Sequence, residues 1–278
     1  MMKALYSGVS GLKSHQTKMD VIGNNIANVN TYGFKSQRAT FRDVYYQTMK
    51  SPSEGDANRG GTNASQVGYG AQVGSIDTIH SMSGYSPTDK ETDCYINGEG
   101  YFVVEDANND RFFTRLGALE FDAIGNLVDS SGTQVCGWNE GDTPSNTTVE
   151  TITVDNFSNY KNITINNDGT ITAVDKTDAT GAIKTIGQIA VAYVPNQNAL
   201  VLEGNSYYSA GNNTGKISYE VAGTQGTGAI GTNGLEMSNV DLAKEFSDMI
   251  ITQRGFQANT KIISVVDQML EELVNLKR

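Results

Sequence analysis

The sequence is poor in the residues that build metal and disulfide sites. Its 278 residues include two cysteines, two histidines, four prolines and one tryptophan. Cys94 and Cys136 are too few for a disulfide framework and lack the Cys-x-x-Cys or Cys/His spacing of a zinc site. We expect two isolated thiols, with a single disulfide between them as the alternative. The sequence thus predicts no catalytic residue, no metal site and no cofactor.

Long apolar runs are also missing. Mean hydropathy is −0.36, and no apolar run approaches the roughly 18 residues that a transmembrane helix needs. The first residues, Met-Met-Lys-Ala-Leu-Tyr-Ser, lack the apolar core and small-residue cleavage site of a secretory signal. We therefore expect a soluble protein without a membrane anchor, which would leave a cell without a cleaved signal peptide.

Basic residues are scarce in the central part of the sequence. Residues 1–50 hold seven Lys/Arg against two Asp/Glu, whereas residues 51–240 hold eight against 23. An acidic central region repels nucleic acid and anionic membranes. We expect neither as a partner.

The few residues suited to catalysis do not form a recognisable motif. His15 falls in a predicted helix and His80 in a segment with strand character, so we expect both to be structural. The stretch from Asp106 to Asp110 resembles the start of a calcium loop, but Arg111 replaces its glycine and Gly117 its bidentate glutamate. A polar hairpin turn is the simpler interpretation, and the sequence predicts no enzyme.

Both ends of the chain carry apolar stripes at helical spacing. All four prolines and most of the 30 glycines lie between these ends, as expected if the ends are long helices, because interior Pro costs about 3 kcal/mol and Gly about 1. The stripes recur at intervals of three, four or seven residues. The N-terminal stripe comprises Leu5, Val9, Leu12, Met19, Ile22 and Ile26; the C-terminal stripe comprises Leu242, Phe246, Met249, Phe256, Ile263, Val266, Leu270 and Leu273.

The limits of the two helices follow from local signals. The first is expected from about Lys3 to Asn25, before an Asn-rich stretch that ends at Gly33. The second is expected from Asp241 to Arg278, with Ser238 and Asp241 at the spacing of a capping box. The positive charges of Lys277 and Arg278 would stabilise its C-terminal end, which is the negative pole of the helix dipole.

The centre of the sequence predicts short strands. The clearest hairpin runs from Ile163 to Thr172, with alternating arms around a Gly-containing turn. Four further segments are rich in aromatic and β-branched residues: 101–104, 111–115, 187–194 and 217–221. Residues 51–74 are almost devoid of apolar side chains, so we expect order there only through neighbours.

The predicted fold is α+β, with N- and C-terminal helices paired as a coiled coil and an inserted, mainly-β domain of short antiparallel strands. We expect a discontinuous helical polymerisation domain at residues 1–34 and 239–278, an extended linker at 35–74 and a β-rich outer domain at 75–238. Periodicity alone does not decide between an ordinary helical core and a device for polymerisation.

Particular residues at both ends resemble a known family. The segments from Asp20 to Asn28 and from Thr31 to Lys35 are similar to the N-terminal signature of the rod and hook subunits of the bacterial flagellum. Segments 235–242 and 253–259 resemble the matching C-terminal signature. The signature residues are Gly23, Asn24, Asn25, Ala27, Asn28, Thr31, Gly33, Phe34 and Lys35 at one end, and Ser238, Asn239, Val240, Asp241, Gln253 and Arg254 at the other.

The resemblance extends through the middle of the chain. Segments 96–104 and 113–117 are similar to the β-domain of hook and distal rod subunits. The closing run 262–278 and the segments 60–63 and 76–81 look most like short hook proteins of Gram-positive bacteria. The short span after Trp138 and the polar segment 51–74 resemble the distal rod instead. We favour a hook subunit, with a distal rod subunit as the alternative.

The resemblance implies a structural role. The two helices would line the inner tube of a helical homopolymer, and the β-domain would form its outer layer. A hook would act as a flexible universal joint that transmits torque from rod to filament. The implied partners are copies of the same chain, the distal rod protein, the hook cap, the hook-filament junction proteins and the flagellar export apparatus. The implied location is the extracellular hook and basal body of the flagellum.

A function of another class is also compatible with the pattern of helices and strands. A secreted, adhesin-like β-domain could sit on an oligomeric helical stalk. Such a closed stalk would stop at a discrete trimer or tetramer, whereas a polymer would keep growing.

Overall fold

The computed structural model describes residues 2–56, 60–154, 157–176 and 183–276. The chain divides into two compact units. The first comprises Met1–Ala27, Ser36–Ile79 and Val240–Arg278, and the second comprises Asn28–Lys35 and His80–Asn239. In chain order, two terminal helices flank a mainly-β insert of antiparallel strands, which confirms the predicted α+β fold.

The first unit contains two helices and two antiparallel ribbons. Helix α1 spans Met2–Ala27 and helix α2 spans Leu242–Asn275. Strand β1 (Gln37–Asp43) pairs with β4 (Ala71–Thr78), and β2 (Tyr46–Lys50) pairs with β3 (Ser65–Gly68). Residues 35–74, which we expected to form an extended linker, therefore contain three strands and the start of a fourth. The predicted domain boundaries stay predictions.

The second unit is built on a twelve-stranded antiparallel sheet within the described residues. Its strands are β7 (Tyr101–Glu105), β8 (Arg111–Thr114), β9 (Leu119–Phe121), β10 (Leu127–Asp129), β11 (Gln134–Asn139), β12 (Glu150–Thr151), β13 (Tyr160–Ile165), β14 (Thr170–Asp175), β15 (Ile183–Tyr193), β16 (Val201–Gly204), β17 (Tyr207–Ser209) and β18 (Ser218–Val221). Two earlier strands, β5 (Tyr85–Pro87) and β6 (Cys94–Asn97), are not part of this sheet. Strand β19 (Ala229–Thr232) pairs with β6, and β20 (Gly234–Glu236) pairs with β5. Short 3-10 helices cover Phe157–Asn159 and Gln197–Ala199.

The core of the second unit lies on both faces of its sheet. Successive side chains of a strand point to opposite faces, and β7 is buried throughout all but its last residue. Phe102 and Val104 belong to one apolar cluster, while Tyr101 and Val103 belong to another. This central strand is therefore covered on both sides, which explains why its sequence is continuously apolar.

The predicted hairpin turns are confirmed. Strands β13 and β14 pair across the turn that ends at Gly169, whose φ is +82°. The acidic stretch after β7 also forms a turn, in which the Asp106 N–H donates to the Asp110 carbonyl over 3.0 Å. That stretch connects β7 to β8, as expected for a hairpin turn.

The start of the second helix differs from the prediction. Asp241, rather than Ser238, is the N-cap of α2: its side chain accepts hydrogen bonds from the N–H groups of Ala243 and Lys244 at 2.9 and 3.3 Å. The chain leaves β20 at Glu236 and reaches Asp241 in an extended conformation, so the first helical turn begins too late for Ser238 to cap it. Lys277 and Arg278, predicted to favour the helix end, lie outside the described residues. No helix of the described chain is long and apolar enough to cross a membrane.

Candidate functional site

The two terminal helices pack against each other in opposite directions. Lys18 Nζ lies 3.6 Å from Asp248 Oδ1, and an added methyl group at Gly8, earlier in α1, would meet Ile263, later in α2. Ile22 and Val266 are each only 3 % exposed. The predicted stripes therefore contribute buried apolar residues to the contact between the helices.

The stripe residues divide by burial into those that face the partner helix and those that remain accessible. Leu5, Val9, Leu12, Met19, Ile26, Met249, Phe256 and Ile263 are half-buried, whereas Leu242, Phe246, Leu270 and Leu273 are exposed. A buried large apolar side chain contributes about 1.5 to 3 kcal/mol. The exposed stripe residues therefore contribute less than this to the stability of a single copy. Their role in contacts between copies stays a prediction.

A glycine permits the close approach of the helices near their middle. A Cβ atom at Gly255 would lie 2.6 Å from Cε1 and 2.7 Å from Nε2 of His15. The His15 ring packs edge-on against Phe41 with centroids 5.9 Å apart. His15 is thus a packing residue between α2 and the ribbon formed by β1 and β4, as its structural assignment predicted.

Asn25 of the N-terminal signature connects three elements of the first unit. Its side-chain amide donates to the Gln37 carbonyl at 2.8 Å and to Glu245 Oε1 at 3.2 Å, and its Oδ1 accepts from the Gln37 N–H at 2.9 Å. Burial raises the pKa of Glu245, and the hydrogen bond from Asn25 partly offsets that rise. One buried amide therefore ties the end of α1 to β1 and to the first turn of α2.

The other signature residues are distributed between buried and exposed positions. Gly33, Lys35 and Ser238 are buried; Asn28, Phe34, Asn239 and Val240 are half-buried; Gly23, Asn24, Ala27, Thr31, Asp241, Gln253 and Arg254 are exposed. The Arg254 guanidinium donates to the Gln257 side chain at 3.2 Å. The signature thus includes both residues that hold the subunit together and residues on its surface.

A buried cluster of charges in the second unit was not predicted from the sequence. Lys35 Nζ donates to Glu236 Oε1 at 2.6 Å and to the Ser81 carbonyl at 2.9 Å, while Arg115 Nη1 lies 3.3 Å from Glu236 Oε2. Burial lowers the pKa of Lys35, and the attraction of Glu236 opposes that shift. Each of these charged residues lies in a segment that resembles the flagellar family. A charged residue within such a segment is the sequence signal that could have pointed to the cluster.

Backbone groups complete the environment of this cluster. Arg115 Nη2 donates to the Gly98 carbonyl at 2.9 Å, and its guanidinium lies 5.1 Å from the centre of the Tyr101 ring. Arg115 Nε is buried without a hydrogen-bond partner. Gly33 has a φ of +70°, and a Cβ there would lie 3.0 Å from the backbone of Arg115, so glycine is strongly favoured at this signature position.

His80 adjoins the charged cluster and is held neutral. Its Nδ1 lies 2.8 Å from the Tyr101 hydroxyl, and its ring contacts Tyr208 at a centroid distance of 5.9 Å. Burial, together with the nearby positive charges of Lys35 and Arg115, lowers the pKa of His80 to about 4. Burial also raises the pKa of Tyr208, to about 12. The rings of His80, Tyr101 and Tyr208 therefore pack against one another beside the ion cluster.

In the described part of the chain, the cysteines are unpaired with each other and the acidic residues form no metal-binding group. Cys94 and Cys136 are both buried and free, and burial raises the pKa of each thiol to about 12. Within residues 2–56, 60–154, 157–176 and 183–276, no group of three or more His, Cys, Asp or Glu side chains could hold a metal ion. The two thiols are therefore isolated, as expected.

Three family models match the chain in sequence order. Residues 5–35 match the flagella basal body rod protein family, residues 95–173 match the D1 domain of the flagellar hook protein FlgE/F/G family, and residues 233–276 match the C-terminal region of the flagellar basal body rod FlgEFG proteins. These matches include both signature segments and much of the β-rich insert.

Whole-length relatives agree with these matches. The chain is 43 % identical over 279 residues to the flagellar basal-body rod protein FlgG of Bacillus subtilis, with all of both chains covered. It is 34 % identical over 285 residues to FlgG of Buchnera aphidicola from Acyrthosiphon pisum, with 99 % of this chain and 100 % of the relative covered. It is 28 % identical over 442 residues to the flagellar hook protein FlgE of Borreliella burgdorferi, with all of both chains covered. The chain therefore belongs to the flagellar hook and basal-body rod protein family.

Proposed function

We propose that this protein is a structural subunit of the flagellar rod that polymerises with copies of itself into a helical tube. The observation that carries the proposal is the antiparallel pair of terminal helices, which is packed along one face and still exposes Leu242, Phe246, Leu270 and Leu273. These exposed residues would pack against a different patch of the next copy. Such heterologous contacts generate open filaments when they do not close into a ring.

The lengths of the relatives favour the rod over the hook. The B. subtilis rod protein aligns with this chain over 279 residues, and each chain is fully covered. The alignment with the B. burgdorferi hook protein needs 442 positions, so more than a third of them have no counterpart among 278 residues. The rod protein therefore matches this chain without the large additional segments that the hook protein needs.

A hook subunit is the second candidate, and the sequence of the closing run supports it. Residues 262–278, 60–63 and 76–81 all resemble hook subunits. In this case the helices would form inner contacts that hold while the β-rich units slide past one another, so that the tube bends as it transmits torque. The acidic composition of residues 51–240 suits such weak outer contacts.

The partners follow from either role. A rod or hook subunit would contact copies of itself, the neighbouring axial proteins and, at the hook end, the cap and junction proteins. The flagellar export apparatus would carry it outward without removal of a signal peptide. Its location would be the basal body or the extracellular hook.

Electron microscopy of basal bodies from a deletion strain distinguishes the roles. For a distal rod subunit, loss of the protein should leave a truncated rod and no hook. For a hook subunit, a complete rod should remain. Normal rods, hooks and filaments in the deletion strain would overturn both proposals, and restoration of filaments by the reintroduced gene provides the control.

A further inference from the structure

The second unit has a surface cleft that, in the described chain, is lined by uncharged residues. The cleft has a volume of about 450 Å³. Its less exposed lining residues include three apolar ones: Leu235 is buried, and Leu116 and Ala118 are half-buried. The unit around it is acidic, since residues 80–239 hold 20 Asp/Glu against seven Lys/Arg. An uncharged cleft in such a unit suits a ligand without net charge.

Polar groups and one aromatic ring form the exposed part of the lining. Asn30, Ser130, Ser131 and Asn205 are exposed, and their amide and hydroxyl groups can both donate and accept hydrogen bonds. Tyr32 is 39 % exposed, and the face of an aromatic ring carries partial negative charge that attracts C–H groups. A sugar ring presents C–H groups on its face and hydrogen-bonding groups around its edge. The cleft therefore has the chemistry that recognises a neutral sugar.

Hydrogen bonds from buried residues hold the two turns that supply the polar groups. Asp129 Oδ1 accepts from the Ser131 N–H at 2.7 Å, and Asp129 Oδ2 accepts from the Tyr207 hydroxyl. Thr114 Oγ1 donates to the Ser206 carbonyl at 3.1 Å. The lining is thus fixed before a ligand arrives, which reduces the entropy that binding must cost.

The turn between β16 and β17 has a strained backbone at the cleft. The φ angles of Asn205 and Ser206 are +50° and +62°. Asn-Gly is the preferred pair for a two-residue hairpin loop with two positive φ angles, because glycine adopts them without strain. Ser206 accepts this strain and places a side chain in the lining of the cleft, where glycine would have none. Strain of this kind is concentrated at binding sites.

A second cavity continues on the other side of Tyr32. Its volume is about 200 Å³, and Asn30 and Tyr32 line both cavities. The second cavity is also uncharged in the described chain, and its other lining residues are Val29, Ser86, Met237 and Ser238. A single sugar ring would fill only one side of Tyr32. Two cavities that share an aromatic ring suit consecutive rings of an oligosaccharide.

We propose that this cleft binds a neutral oligosaccharide of N-acetylated amino sugars, with one sugar ring stacked on Tyr32. The acetamido group matches the mixed lining: its methyl group packs on Leu116 and Ala118, and its N–H and C=O groups pair with the side chains of Ser131 and Asn205. A sugar that carries only hydroxyl groups has no apolar substituent for these residues. The site adds a binding activity to the structural role and does not depend on it.

Calorimetric titration of the full-length protein with chitotriose, a short chain of N-acetylglucosamine, tests the site. Maltotriose is the matched control ligand, because it has the same number of sugar rings and no acetamido group. Tyr32→Ala removes the stacked ring, and Tyr32→Phe keeps it. Tyr45→Ala removes an exposed tyrosine of the first unit and is the control variant. Ser131→Arg fills the cleft from an exposed position without a change to any buried side chain.

We expect saturable binding of chitotriose to the wild type and no binding of maltotriose. Tyr32→Ala should weaken binding about tenfold, the scale of one lost stacking contact, and Ser131→Arg should abolish it. Tyr32→Phe and Tyr45→Ala should bind nearly as the wild type does.

Three results would overturn the proposal: no binding of chitotriose to the wild type, equal affinity for maltotriose, or unchanged affinity in Ser131→Arg. The last variant decides the matter alone if Tyr32→Ala does not fold. Self-association of the wild type that Ser131→Arg abolishes, without any sugar binding, would assign the cleft to a second copy of the chain instead.

Discussion

Lys35 Nζ and Glu236 Oε1 lie 2.6 Å apart, and the two side chains are 0 % and 1 % exposed. One residue follows the N-terminal helix and the other precedes the C-terminal helix, 201 positions later. Their contact joins, inside the second unit, the segment that follows α1 and the segment that precedes α2. Arg115, the residue that follows β8, adds a second cation to the same carboxylate. The two family signatures are therefore joined by a buried ion pair.

Removal of the charge of Glu236 should strongly destabilise the second unit. In Glu236→Gln, two buried cations face a neutral amide of nearly the same shape, and loss of one partner of a buried pair costs about 3 to 5 kcal/mol. Urea unfolding followed by fluorescence of Trp138, the single tryptophan and a buried residue of this unit, measures the change.

The exposed pair of Lys90 and Glu120 is the matched control for this substitution. Both side chains are more than half exposed, and a surface pair of this kind contributes about 0 to 1 kcal/mol. Glu120→Gln should therefore leave the unfolding midpoint nearly unchanged. Equal effects of the two variants would contradict the role assigned to the buried cluster.

The neutral state of His80 should make the second unit less stable in mild acid. The unfolded chain protonates this residue near pH 6.5, whereas the folded pKa is about 4. The unfolded state then binds more protons between these values, so stability rises with pH up to about 6.5 and levels off above it. Wild type and His80→Gln should therefore differ in the pH dependence of urea unfolding between pH 5 and 6.5, with the smaller slope in the variant. Equal slopes would contradict the burial of a neutral imidazole.

Two glycines of the helix pair should respond to alanine in opposite ways. At Gly255 the new Cβ meets the His15 ring at 2.6 Å, and overpacking of this kind costs about 1 to 3 kcal/mol. At Gly23 nothing lies within 4 Å, and alanine gains up to about 1 kcal/mol of helix propensity. Thermal unfolding followed by circular dichroism at 222 nm should show a lower midpoint for Gly255→Ala and an equal or higher one for Gly23→Ala. A stabilised Gly255→Ala variant would refute the close helix contact.

Local patterns predicted the elements of the fold well. The apolar spacing predicted a helix from about Lys3 to Asn25, and α1 spans Met2–Ala27. The turn before Gly169 was evident because its Asn, Asp and Gly residues favour the required backbone conformation. The cap of α2 was assigned wrongly to Ser238, since Ser and Asp are both good N-caps and the sequence does not show where the extended chain ends.

Contacts between distant residues could not be predicted in the same way. Nothing in local spacing brings Lys35 beside Glu236 and Arg115, because their meeting depends on the path of the sheet between them. The predicted stripe of α2 illustrates the same limit. It includes Ile263, Leu270 and Leu273 alike, but in the structure Ile263 packs on α1 whereas Leu270 and Leu273 remain exposed.

A charge within the N-terminal stripe should abolish assembly without unfolding the second unit. Leu12 is half-buried in α1, and an aspartate there would place a carboxylate in the apolar contact, where an unpaired charge is strongly disfavoured. Leu12→Asp should therefore yield no axial structures by electron microscopy, while urea unfolding monitored at Trp138 stays within about 0.5 kcal/mol of wild type, as for a change outside that unit. Lys13→Asp introduces the same group at the neighbouring exposed position and should still assemble. Because the two variants differ mainly in which side of α1 carries the carboxylate, normal assembly of Leu12→Asp would show that the stripe does not hold subunits together.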